Sequence, residues 1–207
     1  MNLTFNPDTH EYRVDGIGKP SVTQILSNVG TRMTGSDGKK HWSPIGFDDR
    51  FFDDSGNASK FGDHFHFVAA RIIQDIDVEY DPKMEPWIHG LKMFLHDNWK
   101  LIDKRDVSLI EIPMYSEEFG FAGTPDWYFH SDAGRFIIDW KTGVFQKHSR
   151  MQTAAYAQLV AELLNSGTLM HRWTVQILPG SYKIDKRYNH REDWNQFNSL
   201  LNVWKMS

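Results

Sequence analysis

A chain of 207 residues, 40% of them hydrophobic and 14% aromatic, is long enough to fill one sizeable core. It has no cysteine, which excludes disulfides, thiolate zinc sites and iron–sulfur clusters. A formal net charge of −4 argues against a protein that merely coats nucleic acid, but not against an enzyme acting on it, because acidic metal ligands lower the balance while basic residues gather locally.

The opening "MNLTFNPDTHEYRVDG" shows no basic stretch followed by an apolar one, and no window reaches the ~18 apolar residues of a membrane helix, so a soluble, cytoplasmic protein without membrane contact is expected. Within that opening the turn residues Asn6–Thr9 predict a strand pair. "PSVTQILSNVG" predicts a short helix capped by Ser21, with Gln24 three residues later and Gly30 as its stop. Residues 31–58, rich in Gly, Ser and Asp with Trp42, Phe47, Phe51 and Phe52 among them, read as a loop-rich insertion.

A helix capped by Ser59 follows over "KFGDHFHFVAARIIQ", then a second over roughly Pro86 to Lys104. "DVSLIEIPMY" predicts one strand, and "GTPDWYFHSDAGRFIIDWKTG" a strand hairpin turning at Ser131–Gly134. "SRMQTAAYAQLVAELLNSG" is the strongest helix, with Ser149 as its cap and Gly167 as its terminator. Two strands, "HRWTVQILPG" and "SYKIDKRYN", and an amphipathic helix, "REDWNQFNSLLNVWKM", complete the chain. This order predicts a single α/β (α+β) domain over 1–207, with a central mixed sheet flanked by helices and an added N-terminal hairpin and helix over 1–30.

The hairpin poses a chemical question. With Ser131–Gly134 as the turn, His130 pairs with Arg135, and counting outward sets Asp126 opposite Asp139, where β-carbons lie about 4.5–5.5 Å apart and like charges repel. Lys141, two residues on, projects to the same face as both acids, among apolar neighbours Trp127, Phe129, Phe136, Ile137 and Ile138. Three arrangements resolve the repulsion. One acid can be protonated, or Lys141 can bridge both as a structural ion pair. Alternatively, the two carboxylates hold a hard divalent cation, with Lys141 orienting or deprotonating a water or neutralising charge that develops on a phosphate.

Beyond the hairpin, "GTPD", then "DWK", then "QTAAY" resembles the PD-(D/E)XK nuclease superfamily, in its RecB-type, lambda-exonuclease-like branch. Gly62 and His66 in "GDHFH" match the branch's Gly-xxx-His, Gln152 and Tyr156 match its Gln-xxx-Tyr, and the likeness extends over roughly residues 5–180. The resemblance implies a restriction-endonuclease-like core and a Mg²⁺-dependent (Mn²⁺-tolerant) DNA nuclease, an exonuclease acting on DNA ends or single strands in recombination or DNA processing. It implies that His66, Asp126 and Asp139 bind the metal, with the backbone carbonyl of Trp140, and that Lys141 is the catalytic lysine. Gln152 and Tyr156 would contact phosphates or the site's acids, and Glu111 would support them. Lys147, His148 and Arg150, near a helix N-terminus, are placed to meet DNA phosphates. Members often carry a glutamate four residues after the motif histidine, where this chain has Ala70.

Overall fold

The computed structural model describes residues 1–7, 9–27, 30–34, 40–44, 57–103, 105–143, 145, 148–188 and 190–206. Strands β1 (Leu3–Asn6) and β2 (Glu11–Val14) form the expected hairpin, and a third strand that the sequence pattern hides, β3 (Ile17–Lys19), extends it to a three-stranded antiparallel sheet. Helix α1 (Val22–Ser27) opens on the anticipated capping box: Gln24 N–H donates to Ser21 Oγ at 3.1 Å, and Ser21 N–H donates to Gln24 Oε1 at 3.0 Å. Within the expected insertion, β4 (Gly30–Thr34) pairs with β5 (Lys40–Pro44), so Gly30 opens a strand rather than stopping α1; Phe47, Phe51 and Phe52 lie outside the described residues.

Helix α2 (Asn57–Ile73) starts two residues before Ser59, which is therefore inside the helix and not its cap. The second expected helix is broken. After a 3-10 turn at Pro82–Met84, α3 (Glu85–Asp97) ends at Asn98, whose side chain donates to the Phe94 carbonyl at 2.9 Å, and α4 (Trp99–Ile102) restarts at once. The single strand expected over 106–115 is also broken, into β6 (Arg105–Ile110) and β7 (Met114–Ser116), and β7 pairs with β8 (Phe121–Gly123).

Next come β9 (Trp127–Ser131), β10 (Gly134–Lys141), α5 (Ser149–Leu163), β11 (His171–Leu178), β12 (Ser181–Arg187) and α6 (Arg191–Met206). The N-cap position of α5 is held by His148 rather than Ser149, without a side-chain capping bond. It closes in a Schellman turn with Asn165 left-handed at φ 46° and Ser166 N–H donating to Ala161 O at 2.8 Å, so Asn165 ends it two residues before Gly167.

The central sheet runs β12-β11-β10-β9-β6 and is mixed: β10 and β11 are parallel, and the remaining pairs are antiparallel. A parallel pair needs a crossover, which α5 supplies. One face of the sheet packs Trp127, Phe129 and Trp140 against Phe65, Val68, Leu91 and Phe94 of α2 and α3. The other packs Tyr128 and Ile137 against α1, α5 and α6. With helices on both faces, β10 reads as a nearly continuous buried run, which makes the polar Asp139 within it conspicuous. On the first face the fit is tight at Gly90, where a β-carbon would lie 2.5 Å from the carbonyl oxygens of Leu178 and Ser181. On the second face Arg172 is fully buried, donating to Arg150 O at 2.7 Å, Thr153 Oγ1 at 3.3 Å and Asp193 Oδ2 at 2.7 Å. Among the described residues, no helix is long and apolar enough to cross a membrane.

Candidate metal centre

The hairpin has the register its turn residues predict, with His130 opposite Arg135, and pairing runs on to Trp127 opposite Ile138. It stops one step short of Asp126. Pro125 has no N–H for the ladder, and Asp126 lies in a bend before β9. Its carboxylate instead reaches across, Oδ2 accepting the backbone N–H of Trp140 at 2.6 Å. Trp140 thus enters the site through its N–H, while its indole packs in the core against Phe94 and Trp127.

Two further side chains converge on Asp126. His66, on α2, places Nδ1 3.2 Å from Asp126 Oδ1 and 3.9 Å from Glu111 Oε1. Glu111 sits at the break between β6 and β7 in the left-handed region, φ 51°, a conformation that costs a non-glycine residue on the order of 1 kcal/mol. There its N–H donates to the Asp126 carbonyl at 3.2 Å. The outcome is that His66, Glu111 and Asp126 each offer one donor atom, all within 4.8 Å of one another. Glu111, expected only in support, stands in the ligand-spaced group.

Asp139 stands outside the ligand-spaced group. It is 0% exposed, and its carboxylate is held by Lys141, with Nζ 3.1 Å from Oδ1 and 2.9 Å from Oδ2. Lys141 Nζ also donates to Gln152 Oε1 at 3.2 Å, and Gln152 Nε2 donates to the Tyr156 hydroxyl at 3.0 Å. Gln152 and Tyr156, one turn apart on α5, therefore continue a polar chain from the lysine, and Gln152 takes no part in capping its helix.

The charges settle into pairs. Burial alone would lower the His66 pKa, but the Asp126 charge and hydrogen bond, with Glu111, outweigh it and raise the imidazole to about 9. Burial would raise Asp126, yet His66 and Lys141, with the Trp140 N–H, hold it below its ordinary value. Burial, then Asp126, push Glu111 up to about 8. Asp139 rises to about 6, burial and Asp126 prevailing over Lys141. Lys141 itself stays cationic, since the two aspartates more than offset its burial and raise its pKa. At neutral pH the group thus holds two internal ion pairs and a protonated Glu111, a state that a divalent cation would displace.

Glu111 gives a test of this balance. Its raised folded-state pKa means the folded chain binds more protons between pH 4.5 and about 8, so its penalty is absent at low pH and grows as pH rises through that window. Glu111→Gln is therefore expected to raise the melting temperature in EDTA, by a larger margin at pH 8 than at pH 5. An equal margin at both pH values would mean that the carboxyl is not held protonated.

Lys147 lies outside the described residues. His148 is close enough that burial, then the charge of Lys141, lower its pKa. Arg150 is turned toward α6, with Nε 3.6 Å from Asp193 Oδ1 and an Nη donating to Gln196 Oε1 at 3.3 Å. Gly62 is not sterically required, the nearest atom to an added β-carbon being Thr142 Oγ1 at 3.8 Å.

Sequence reasoning passed over Tyr12 and Thr124, whose hydroxyls share a 2.7 Å hydrogen bond that ties the N-terminal hairpin to the loop carrying Asp126. Strand alternation places Tyr12 inward on β2, but nothing in the sequence pairs it with Thr124. Tyr12 and Thr124 line one cavity of about 580 Å³ together with His66, Glu111, Asp126, Lys141, Gln152 and Tyr156.

No family model matches the chain, and no curated protein matches it. Among solved structures it is similar to the crystal structure of SSO0001, at 17% identity over 72% of this chain and 70% of that one, with a TM-score of 0.36. A likeness of that size carries no argument about function.

Proposed function

We propose that the chain is a metal-dependent DNA nuclease of the PD-(D/E)XK type, hydrolysing phosphodiester bonds as an exonuclease at DNA ends or on single strands. The observation that supports this reading is the convergence of His66, Glu111 and Asp126 beside the Asp139–Lys141 pair at one cavity. Two carboxylates and an imidazole, with no thiolate, form a donor set that suits Mg²⁺ or Mn²⁺. When bound, such an ion supplies Lewis-acid polarisation of a phosphate and activation of water.

The chain's own groups do the rest. Lys141, kept cationic by Asp139, is a fixed positive charge for the phosphate oxygens as negative charge develops on them, and a protonated ammonium is no general base. Gln152 and Tyr156 hold that ammonium in place from the helix side. Asp126, fixed by the Trp140 N–H, and Glu111, fixed by its left-handed backbone, would present their oxygens to an ion that displaces the Glu111 proton and the His66–Asp126 pair.

The test is digestion of end-labelled linear single- and double-stranded DNA beside a closed circle, in Mg²⁺, Mn²⁺ or EDTA, by wild type and Lys141→Ala. Metal-dependent loss of linear DNA by wild type, abolished in the variant while the circle survives, is the expected result. Cutting of the circle would make the protein an endonuclease. Persistence of every substrate in both metals would overturn the nuclease reading.

A further inference from the structure

The cavity beside the metal group is lined by a second kind of chemistry. Besides the acids and Lys141, its lining includes Phe5, His10 and Tyr12 from the N-terminal sheet and Phe67 and Arg71 from α2. Phe5 stacks on Tyr12 with ring centroids 4.5 Å apart, and His10 meets the edge of Phe5 at 6.0 Å. The Tyr12–Thr124 hydrogen bond fixes this aromatic set to the loop that carries Asp126. On α2, Phe67 directly follows His66, and the Arg71 guanidinium lies 5.1 Å from the Phe67 ring centroid.

Core packing explains Tyr12, which is buried, but not Phe67, which is 51% exposed and lies next to a metal-group residue. Aromatic faces interleaved with an arginine are what unpaired nucleic acid stacks on, every base having a π-face and every nucleotide a phosphate. Stacking decides between a strand and a duplex, because a paired base already has its faces covered by its neighbours and only an unpaired one can offer a face to Phe67.

We infer that this aromatic wall is a receptor for an unpaired nucleobase, Phe67 and Phe5 supplying stacking faces and Arg71 meeting the adjoining phosphate, so that the metal group acts on single-stranded DNA rather than intact duplex. The inference deepens the proposed nuclease function and rests on it for the substrate, while the stacking itself is measurable without cleavage.

The experiment uses the full chain in EDTA and an oligodeoxynucleotide bearing 2-aminopurine near one end or the other, whose fluorescence is quenched on stacking. Wild type is expected to quench the probe and bind it. Phe67→Ala, a change at an exposed position checked for unaltered melting temperature, is expected to bind about 10-fold or more weakly, the scale of one lost base stack. Phe67→Trp is expected to restore binding, and a blunt duplex to compete poorly. Absence of quenching by wild type, equal binding by Phe67→Ala, or equal competition by the duplex would each overturn the inference. Quenching without any cleavage in the digestion assay would leave the receptor standing and remove the nuclease.

Discussion

Asp126→Asn is expected to remove Mn²⁺ binding measurable by titration calorimetry and to slow hydrolysis of end-labelled single strands by ~10³-fold or more. The substitution keeps the shape of the side chain and removes its charge. Asp126 is the residue on which the centre is built. One oxygen accepts the Trp140 N–H at 2.6 Å, the other lies 3.2 Å from His66, and its backbone carbonyl accepts the Glu111 N–H at 3.2 Å. An amide there cannot serve as an anionic ligand, and its NH₂ would face the Trp140 N–H or the imidazole. The imidazole carries its proton up to about pH 9 in the metal-free chain, so wild-type affinity is also expected to rise with pH over that range as the proton is more easily displaced. Wild-type Mn²⁺ affinity in Asp126→Asn would place the ion elsewhere in the molecule.

Asp193→Ala is expected to cost about 3–5 kcal/mol in chemical denaturation without touching the metal centre, because it leaves the Arg172 guanidinium buried without its anion. Arg172 is 0% exposed and connects three elements: it belongs to β11, donates to Arg150 O on α5 at 2.7 Å, and pairs with Asp193 on α6 at 2.7 Å. In a chain of this size such a loss lowers the melting temperature by on the order of 10 °C. Replacing both partners, Arg172→Met with Asp193→Leu, is expected to recover most of the stability, since desolvation and pairing nearly cancel in an intact buried pair. A double variant no better than Asp193→Ala would mean that the guanidinium's other hydrogen bonds, not the ion pair, hold the helices to the sheet.

Much of this architecture was legible where local rules govern it. Turn residues set the register of the β9–β10 hairpin, and the Ser21–Gln24 capping box was visible as a spacing. The mixed sheet with helices on both faces followed from the order of elements. Legibility failed where a backbone departure or a distant partner decides the outcome. Glu111 was read as mid-strand because nothing in its side chain announces a left-handed conformation, and that turn is what brings it to His66. Asp126 was counted into the ladder, although it leaves the strand to meet Trp140. Arg150 was assigned to phosphates because its partners, Asp193 and Gln196, lie more than forty residues further on. His190, a neighbour of Arg191 in the sequence, is buried, and its pKa is pushed down to about 4 by burial and then by Arg172.

The pairing of each aspartate with a cation of the chain itself, Asp126 with His66 and Asp139 with Lys141, also bears on how such a protein is switched. A structural zinc module collapses when its ion is stripped, because the ligands have no other partner. Here the aspartates are already neutralised by their neighbours, so the fold is expected to survive chelation. Under the proposed function, activity then follows the ambient supply of divalent ions reversibly, and the chain can wait in a loaded or unloaded state with the same fold.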